Sequence, residues 1–115
     1  MTNYYYLASD QQLRAGNASL DFVETESWLM PGFDFPVQRE IYNGVEKDWA
    51  LRELLQYIRN HFATHEFCTV QIAHLINSNL IELKVQKKSV LDLDELINRK
   101  QLLLEEGHLL TIKKG

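Results

Sequence analysis

The stretch "VEKDWALRELLQYIRNHFATH", residues 45–65, decides the fold of this chain. Apolar residues recur in it every three or four positions, at Leu51, Leu54, Leu55, Ile58 and Phe62. Charged side chains such as Arg52 and Arg59 fall largely on another face. This spacing predicts an amphipathic helix from about residue 46 to residue 63. A helix with one apolar face has to bury that face against a second layer of structure.

Segments on the N-terminal side of this helix predict the strands of that second layer. "YYYLA" at 4–8 is aromatic and apolar, and "VQREIY" at 37–42 alternates in character and is followed by an Asn-Gly turn. A weaker strand signal lies at 19–24, "SLDFVE". We therefore expect strands at 4–8 and 37–42, with a further one near 20.

The C-terminal side of the helix predicts a β-hairpin. "TVQIAHLI" at 69–76 is rich in β-branched residues, and "LIELKV" at 80–85 alternates apolar and polar letters after the turn "NSN". A short apolar run is ambiguous between strand and helix, so a short helix over 70–77 is the alternative.

A second helix and a last strand are predicted to complete the chain. Asp92 and Glu95 have the spacing of a capping box, and Gly107 is placed to end a helix. The predicted apolar face of this helix consists of Leu93, Leu96, Ile97, Leu103 and Leu104. "HLLTIKK" at 108–114 predicts a strand with side chains on alternate faces.

These elements predict an α+β fold, in which a mostly antiparallel sheet carries two helices packed on one face. The chain has 115 residues, 45% of them hydrophobic, which suits a single domain over 1–115 with one core. Cys68 is the only cysteine, so no internal disulfide can form. No apolar run is long enough to cross a membrane, and the N-terminal stretch lacks the features of a secretion signal. We expect a cytoplasmic protein.

The charge distribution argues against nucleic acid as a partner. The net charge is −4, with 9 acidic and 5 basic residues in 1–60 and 7 of each in 61–115. Proteins that bind a phosphate backbone rely on clusters of cations, which are absent from the acidic half. The lysines and arginines of the second half lack the interleaved aromatic residues of a single-strand binder.

Histidines and the cysteine form the candidate metal site. His61 and His65 have the i, i+4 spacing with which two imidazoles hold one zinc ion, and Cys68 and His74 could complete a tetrahedron. The structural interpretation makes His61 a solvated ring near the helix C-terminus and Cys68 a small buried side chain, and it is favoured. Catalysis by Cys68 is disfavoured, because apolar neighbours raise a thiol pKa.

Acidic clusters have ordinary structural explanations. "DLDE" at 92–95 and "DFVETE" at 21–26 could bind a hard cation or act as acid and base. Helix capping accounts for the first group and an exposed loop edge for the second, and the chain has no glycine-rich phosphate loop.

The aromatic loop "SWLMPGFDFP", residues 27–36, carries a dense set of large apolar side chains: Trp28, Leu29, Met30, Phe33 and Phe35. Pro31, Gly32 and Pro36 exclude a helix interior or a central strand. One interpretation makes the loop a plug that completes the core. The other makes it a contact surface, since Trp and Met are favoured in recognition.

Three hypotheses on function follow. The first is a non-enzymatic cytosolic binding domain, either a homodimer or a module that docks another protein, with the 28–35 loop at the contact. The second is a small zinc protein or enzyme that uses His61, His65, Cys68 and His74. The third is a binder of a small apolar ligand, with the loop as a lid over a pocket lined by Tyr4, Tyr6 and Phe62.

Overall fold

A computed structural model describes residues 2–13, 22–28, 33–42, 47–77 and 85–114. At 2–4, 22–28, 42 and 76–77 the description covers the backbone. The strands are β1 Thr2–Ser9, β2 Phe22–Trp28, β3 Val37–Tyr42, β4 Cys68–Asn77, β5 Lys87–Asp92 and β6 His108–Lys114, and the helix is α1 Asp48–Ala63. The α+β class is confirmed.

The strands of the described ranges form one mixed sheet in the order β2-β3-β1-β4-β6-β5. β1 lies in its centre, antiparallel to both β3 and β4, and Tyr5 is in register with Ile41 and with His74. β4 is antiparallel to β6, whereas β5 runs parallel to β6 at one edge. The prediction of a mostly antiparallel sheet is corrected to a mixed sheet, because β5 runs parallel to β6.

One face of the sheet packs against α1. Leu51, Leu54, Ile58 and Phe62 of the helix are buried against sheet residues, which include Tyr5, Leu7, Val70, Ile72, Leu110 and Ile112. The apolar residues whose spacing predicted the helix therefore form the face that the helix buries. At the helix C-terminus, the Lys114 ammonium donates to the carbonyls of Phe62 and His65 at 2.7 and 2.8 Å. A cation at this end also suits the helix dipole.

The other face of the sheet buries a smaller cluster. It comprises Tyr6, Ala8, Val37, Ala73, Leu75 and Leu109, together with Phe33 from the aromatic loop. The predicted alternation of side chains in β6 is confirmed, because the neighbours Leu109 and Leu110 lie in different clusters. Tyr5 and Tyr6 of β1 alternate in the same way.

The predicted second helix is wrong. Residues 93–104 contain two short 3-10 turns, Leu93–Glu95 and Arg99–Leu102, joined by non-helical chain. Asn98 interrupts the helix, because its side chain accepts from the Lys100 N–H at 2.9 Å. Gln101 bonds back to the N–H groups of Ile97 and Asn98 at 2.9 and 2.8 Å. Amide side chains thus satisfy backbone groups that a continuous helix would have used.

Strand β5 is an element that the sequence did not predict. All residues of the strand predicted at 80–85 except Val85 lie outside the described residues. The prediction for 69–76 is confirmed as strand β4, and the helical alternative for 70–77 is wrong. The strand that sequence reasoning missed is Lys87–Asp92, which pairs with β6.

Gly107 fixes the start of β6 rather than the end of a helix. It has a φ of 82° and donates its N–H to the His74 carbonyl at 2.7 Å. Its own carbonyl accepts from the N–H groups of Gln86 and Lys87 at 2.8 and 3.1 Å. A glycine adopts this left-handed conformation without strain, so one residue ties β4, β5 and β6 together. Among the described residues, no helix combines the length and apolar character needed to span a bilayer.

Candidate functional site

Ser9, at the end of β1, is the centre of a buried polar cluster. Its Oγ lies 3.1 Å from His61 Nε2, 3.7 Å from Cys68 Sγ and 2.8 Å from the Thr69 carbonyl oxygen, and it accepts from the Gln11 N–H at 3.1 Å. Ser9, His61 and Cys68 are each at most 3% exposed. The cluster joins the end of α1 to the first residues of β4.

The donors and acceptors in this cluster indicate a structural role rather than a catalytic one. The Ser9 hydroxyl has one proton, and its shortest bond gives that proton to the Thr69 carbonyl. His61 Nε2 is then the donor to Ser9 Oγ, so His61 cannot act as a base toward that hydroxyl. The interpretation of His61 as a solvated ring is wrong, because the helix C-terminus packs it onto β1.

Of the three histidines predicted to share a metal ion, two lie together and the third, His74, lies apart. His61 and His65 are close, with ring centroids 5.0 Å apart. His74 lies six residues along β4 from Cys68, roughly 20 Å away at the usual rise per residue. His74 instead stacks on Tyr5 at 5.1 Å and contacts the Leu104 carbonyl through Nδ1 at 2.9 Å. Within the described ranges, no group of three metal-ligating side chains is present.

The Cys68 environment opposes thiolate chemistry. Burial raises the pKa of the Cys68 thiol, while the contact with Ser9 Oγ works in the opposite direction. The thiol is 2% exposed. A nucleophilic or metal-binding cysteine needs a lowered pKa and access to its ligand or substrate.

The structure describes the side chains of the second part of the aromatic loop, and these pack against the sheet. Phe33 is 6% exposed and packs on the sheet face opposite α1, and Phe35 is half-buried against the same cluster. Gln71 holds this turn, because its Oε1 accepts from the N–H groups of Asp34 and Phe35 at 2.8 and 3.3 Å. Trp28 ends β2, and Leu29 and Met30 lie outside the described residues. The plug interpretation thus accounts for Phe33.

The pocket predicted for an apolar ligand does not form from the residues named for it. Tyr6 and Phe62 belong to clusters on opposite faces of the sheet, so they cannot line one cavity. The side chain of Tyr4 lies outside the described residues. An open groove of about 660 Å³ lies elsewhere, along 9–12 and 35–38. The Gln38 side chain in this groove already bonds to backbone groups. Its Oε1 accepts from the Leu13 N–H, and its Nε2 donates to the carbonyls of Ser9 and Gln11.

Ser89 and His108 form a pair that sequence reasoning missed. Ser89 Oγ on β5 lies 2.7 Å from His108 Nε2 on β6. Burial lowers the pKa of His108, and the Lys87 ammonium lowers it further, so the imidazole is neutral at pH 7. Nucleophile and base have this separation in acyl-transfer enzymes. The groove at 9–12 and 35–38 does not include either residue, and the pair is explained as a contact between neighbouring strands.

Exposed apolar side chains on the 93–104 segment form the remaining candidate site. Ile97 is 79% exposed and Leu103 is 50% exposed, while Leu96, Leu102 and Leu104 are buried. Trp49, at the start of α1, is 44% exposed. These three exposed residues lie within a few positions of the ion pair that joins Asp48 to Arg99 at 2.7 Å.

Besides the His74 contact with the Leu104 carbonyl, three sets of contacts fix the 93–104 segment to the rest of the domain. The Arg99 guanidinium donates two hydrogen bonds to the Asp48 carboxylate, at 2.7 and 3.1 Å, and this contact lowers the pKa of Asp48. Arg59 donates to the Leu96 carbonyl at 3.2 Å. The buried Tyr5 hydroxyl donates to the Leu102 carbonyl at 3.0 Å and accepts from the Leu104 N–H at 2.8 Å. The exposed leucine and isoleucine are therefore held in place.

Comparisons with models of protein families, with curated proteins and with solved structures find no match to this chain.

A sequence signal for the exposed surface exists. "NRKQ" at 98–101 has the capping-box spacing of a polar N-cap followed three residues later by glutamine. A second N-cap inside a predicted helix indicates that the helix stops and restarts there. The apolar residues on either side then no longer share one face, which leaves Ile97 and Leu103 outside the core.

Proposed function

We propose that this chain is a non-enzymatic domain that works by binding another protein, and that the contact includes Trp49, Ile97 and Leu103. The observation that carries the proposal is the exposure of Ile97, at 79%, on a segment that the domain holds in place. A single exposed apolar residue is ordinary on a protein surface. Here three such residues lie within four sequence positions of the two members of one ion pair, so a partner that covers the pair could bury them together.

Energetics favour such a contact over solvent exposure. Full burial of an isoleucine or leucine side chain stabilises by roughly 1.5–3 kcal/mol. Tryptophan is among the residues that contribute most to binding at interfaces, and Trp49 supplies one beside the ion pair. Part of this free energy is available to a partner, because these side chains are not buried within the chain.

The preorganised backbone supports the proposal further. Binding costs free energy when a flexible segment has to be ordered, and a segment already held by the rest of the domain avoids much of that cost. Tyr5, Arg59 and Asp48 each fix a different part of the 93–104 segment. Charged residues around the apolar ones, such as Lys100 and Glu95, are exposed and would form the polar rim of an interface.

This proposal places the main contact away from the aromatic loop. Phe33 of that loop is buried in the single chain, so it offers little surface to a partner. Phe35 is half-buried. A contribution from Trp28, Leu29 and Met30 stays a prediction, since their side chains lie outside the described residues. The zinc hypothesis has less support, because His74 is remote from Cys68 and the thiol is buried.

Site-specific photo-crosslinking tests the proposal. A photoreactive phenylalanine analogue replaces Ile97 in the chain expressed in its own cells, and the same analogue replaces Gln56 as the control. Gln56 is an exposed position on α1 and bonds only to the neighbouring Asn60 side chain in the described structure. We expect one dominant protein adduct at position 97 and not at position 56.

A second substitution gives the test its specificity. Trp49→Ser in the chain that carries the crosslinker at position 97 should weaken the adduct, whereas Thr64→Ser, at the other end of α1, should leave it unchanged. Equal adducts at positions 97 and 56, or none at position 97, would show that this surface is not a binding site. Circular dichroism of each variant separates loss of binding from loss of the fold.

A further inference from the structure

Strand β5 forms one edge of the sheet, and its exposed charges would complement those of a second β5 related by a two-fold axis. Among the described strands, none pairs with its outer side. Lys88, Val90 and Asp92 are exposed and alternate with Ser89 and Leu91, which are half-buried. Val90 is 66% exposed. The edge therefore presents a cation, an apolar side chain and an anion on one face, in that order.

We propose that β5 pairs with β5 of a second copy of this chain, antiparallel and centred on Val90, to join two sheets into one. In this register Lys88 of each copy lies opposite Asp92 of the other, and the two Val90 side chains lie opposite each other. Opposite charges at directly facing positions stabilise an antiparallel pair. Contacts of this kind are isologous, since the same patch serves on both subunits.

The alternative registers are disfavoured by the same residues. A parallel, in-register pair would place Lys88 opposite Lys88 and Asp92 opposite Asp92. An antiparallel pair centred on Lys88 would again place the two ammonium groups together. Lysine on an edge strand commonly prevents edge-to-edge association. In β5, Asp92 supplies the opposite charge for Lys88 in the antiparallel register centred on Val90. Lys88 therefore favours that register and disfavours the others.

The neighbouring side chains leave this face of β5 accessible. Leu91 packs toward α1 with the helix-side core, and Ser89 contacts His108 on that same side. Lys88, Val90 and Asp92 consequently lie on the other face, in register with Leu109, Thr111 and Lys113 of β6. Lys113 next to Asp92 is exposed, and among the described ion pairs none joins the two. The Asp92 side chain accepts from the Glu95 N–H in a capping box. A carboxylate has about four acceptor sites, so Asp92 can also accept from a second lysine.

A mixing experiment with two single variants tests the register. Lys88→Asp leaves two acidic residues on the edge, and Asp92→Lys leaves two lysines, so each variant alone should lose self-association. The two variants mixed should associate one to one, because each aspartate again faces a lysine. We expect the dissociation constant of each variant alone to rise about tenfold or more, and that of the mixture to return near the wild-type value. Sedimentation velocity and native mass spectrometry give these values and the composition of the complex.

Matched controls have the same charge changes elsewhere. Lys47→Asp and Glu66→Lys alter exposed residues outside the sheet, and each should leave the wild-type association unchanged. Val90→Lys, which places like charges at the centre of the pair, is the second disrupting variant if Asp92→Lys disturbs the turn after β5. Circular dichroism confirms the fold of every variant.

Other outcomes overturn the inference. A wild-type chain that stays monomeric up to near-millimolar concentration has no β5 contact. A dimer that survives both single variants is held together elsewhere. Growth beyond a dimer would indicate pairing of β5 with the opposite edge strand, β2. The crosslinking test at Ile97 uses a different surface, so its result is independent of these outcomes.

Discussion

Tyr5→Phe removes one oxygen atom that fixes the 93–104 segment to the centre of the sheet. The Tyr5 side chain is 1% exposed, and its hydroxyl bonds both the Leu102 carbonyl and the Leu104 N–H. Without the hydroxyl, both backbone groups lose this partner in an environment where Leu102 is 0% and Leu104 is 6% exposed. The aromatic ring stays, so no large cavity forms.

The expected loss of stability follows from the two orphaned groups. A typical hydrogen bond contributes about 0.5–1.5 kcal/mol, and a buried group left without a partner costs about 1–3 kcal/mol. We therefore expect Tyr5→Phe to lower the free energy of unfolding by about 2–4 kcal/mol, a large part of the 5–15 kcal/mol typical of a domain. The control Thr64→Ala removes an exposed hydroxyl that bonds the His61 carbonyl at 3.0 Å, and its effect should be smaller.

Two measurements check this expectation. Urea denaturation gives the free energies of unfolding, and amide hydrogen exchange gives the protection of the Leu104 N–H. In the wild type this N–H should be protected, and in Tyr5→Phe its exchange should rise more than that of amides in the centre of β4. Unchanged stability together with unchanged Leu104 protection would refute the argument that Tyr5 holds the segment.

Further predictions concern the polar cluster, the pH response, the turn before β6 and the cysteine. Ser9→Ala should lower the free energy of unfolding by about 2 kcal/mol in urea, since it leaves His61 and the Thr69 carbonyl without a bond that each now makes; a neutral effect would contradict the role of Ser9. The lowered pKa of His108 means that the unfolded chain takes up its proton first, so the free energy of unfolding should fall as the pH drops below about 6.5. His108→Gln should reduce that slope, and an identical slope in both proteins would show that other groups cause it. Gly107→Ala should cost about 1–2 kcal/mol in the same assay, because alanine is strained at a positive φ. Cys68 should react with a thiol reagent far more slowly in the native protein than in urea, and rapid native labelling would contradict its burial.

Much of the fold could be predicted from the periodicity of apolar residues. Helix α1 and strands β1, β3, β4 and β6 were all indicated, because each has a clear period in its sequence. The second helix failed because Asn98 and Gln101 cap local turns, an effect of two polar side chains that an apolar count cannot detect. Strand β5 was missed because it lies at an edge and exposes lysines, so it lacks the strong apolar alternation of a buried strand.

The candidate sites were less predictable, since they depend on which elements become neighbours. His61, His65 and Cys68 are close in sequence and lie near one another, but a partner from β1, Ser9, determines what His61 does. His74 is only six residues from Cys68, yet the extended backbone of β4 separates the two by roughly 20 Å. Ser89 and His108 are 19 residues apart and become neighbours through a parallel pairing that the sequence did not indicate.

Native mass spectrometry of the tag-free protein, purified without chelator, tests most directly whether this chain acts through contacts with protein chains rather than through a metal. The spectrum reports the number of subunits and any bound mass together. We predict dimer ions at the mass of the protein alone. Monomer ions with a stoichiometric zinc ion, lost on His61→Ala with His65→Ala, would contradict the account.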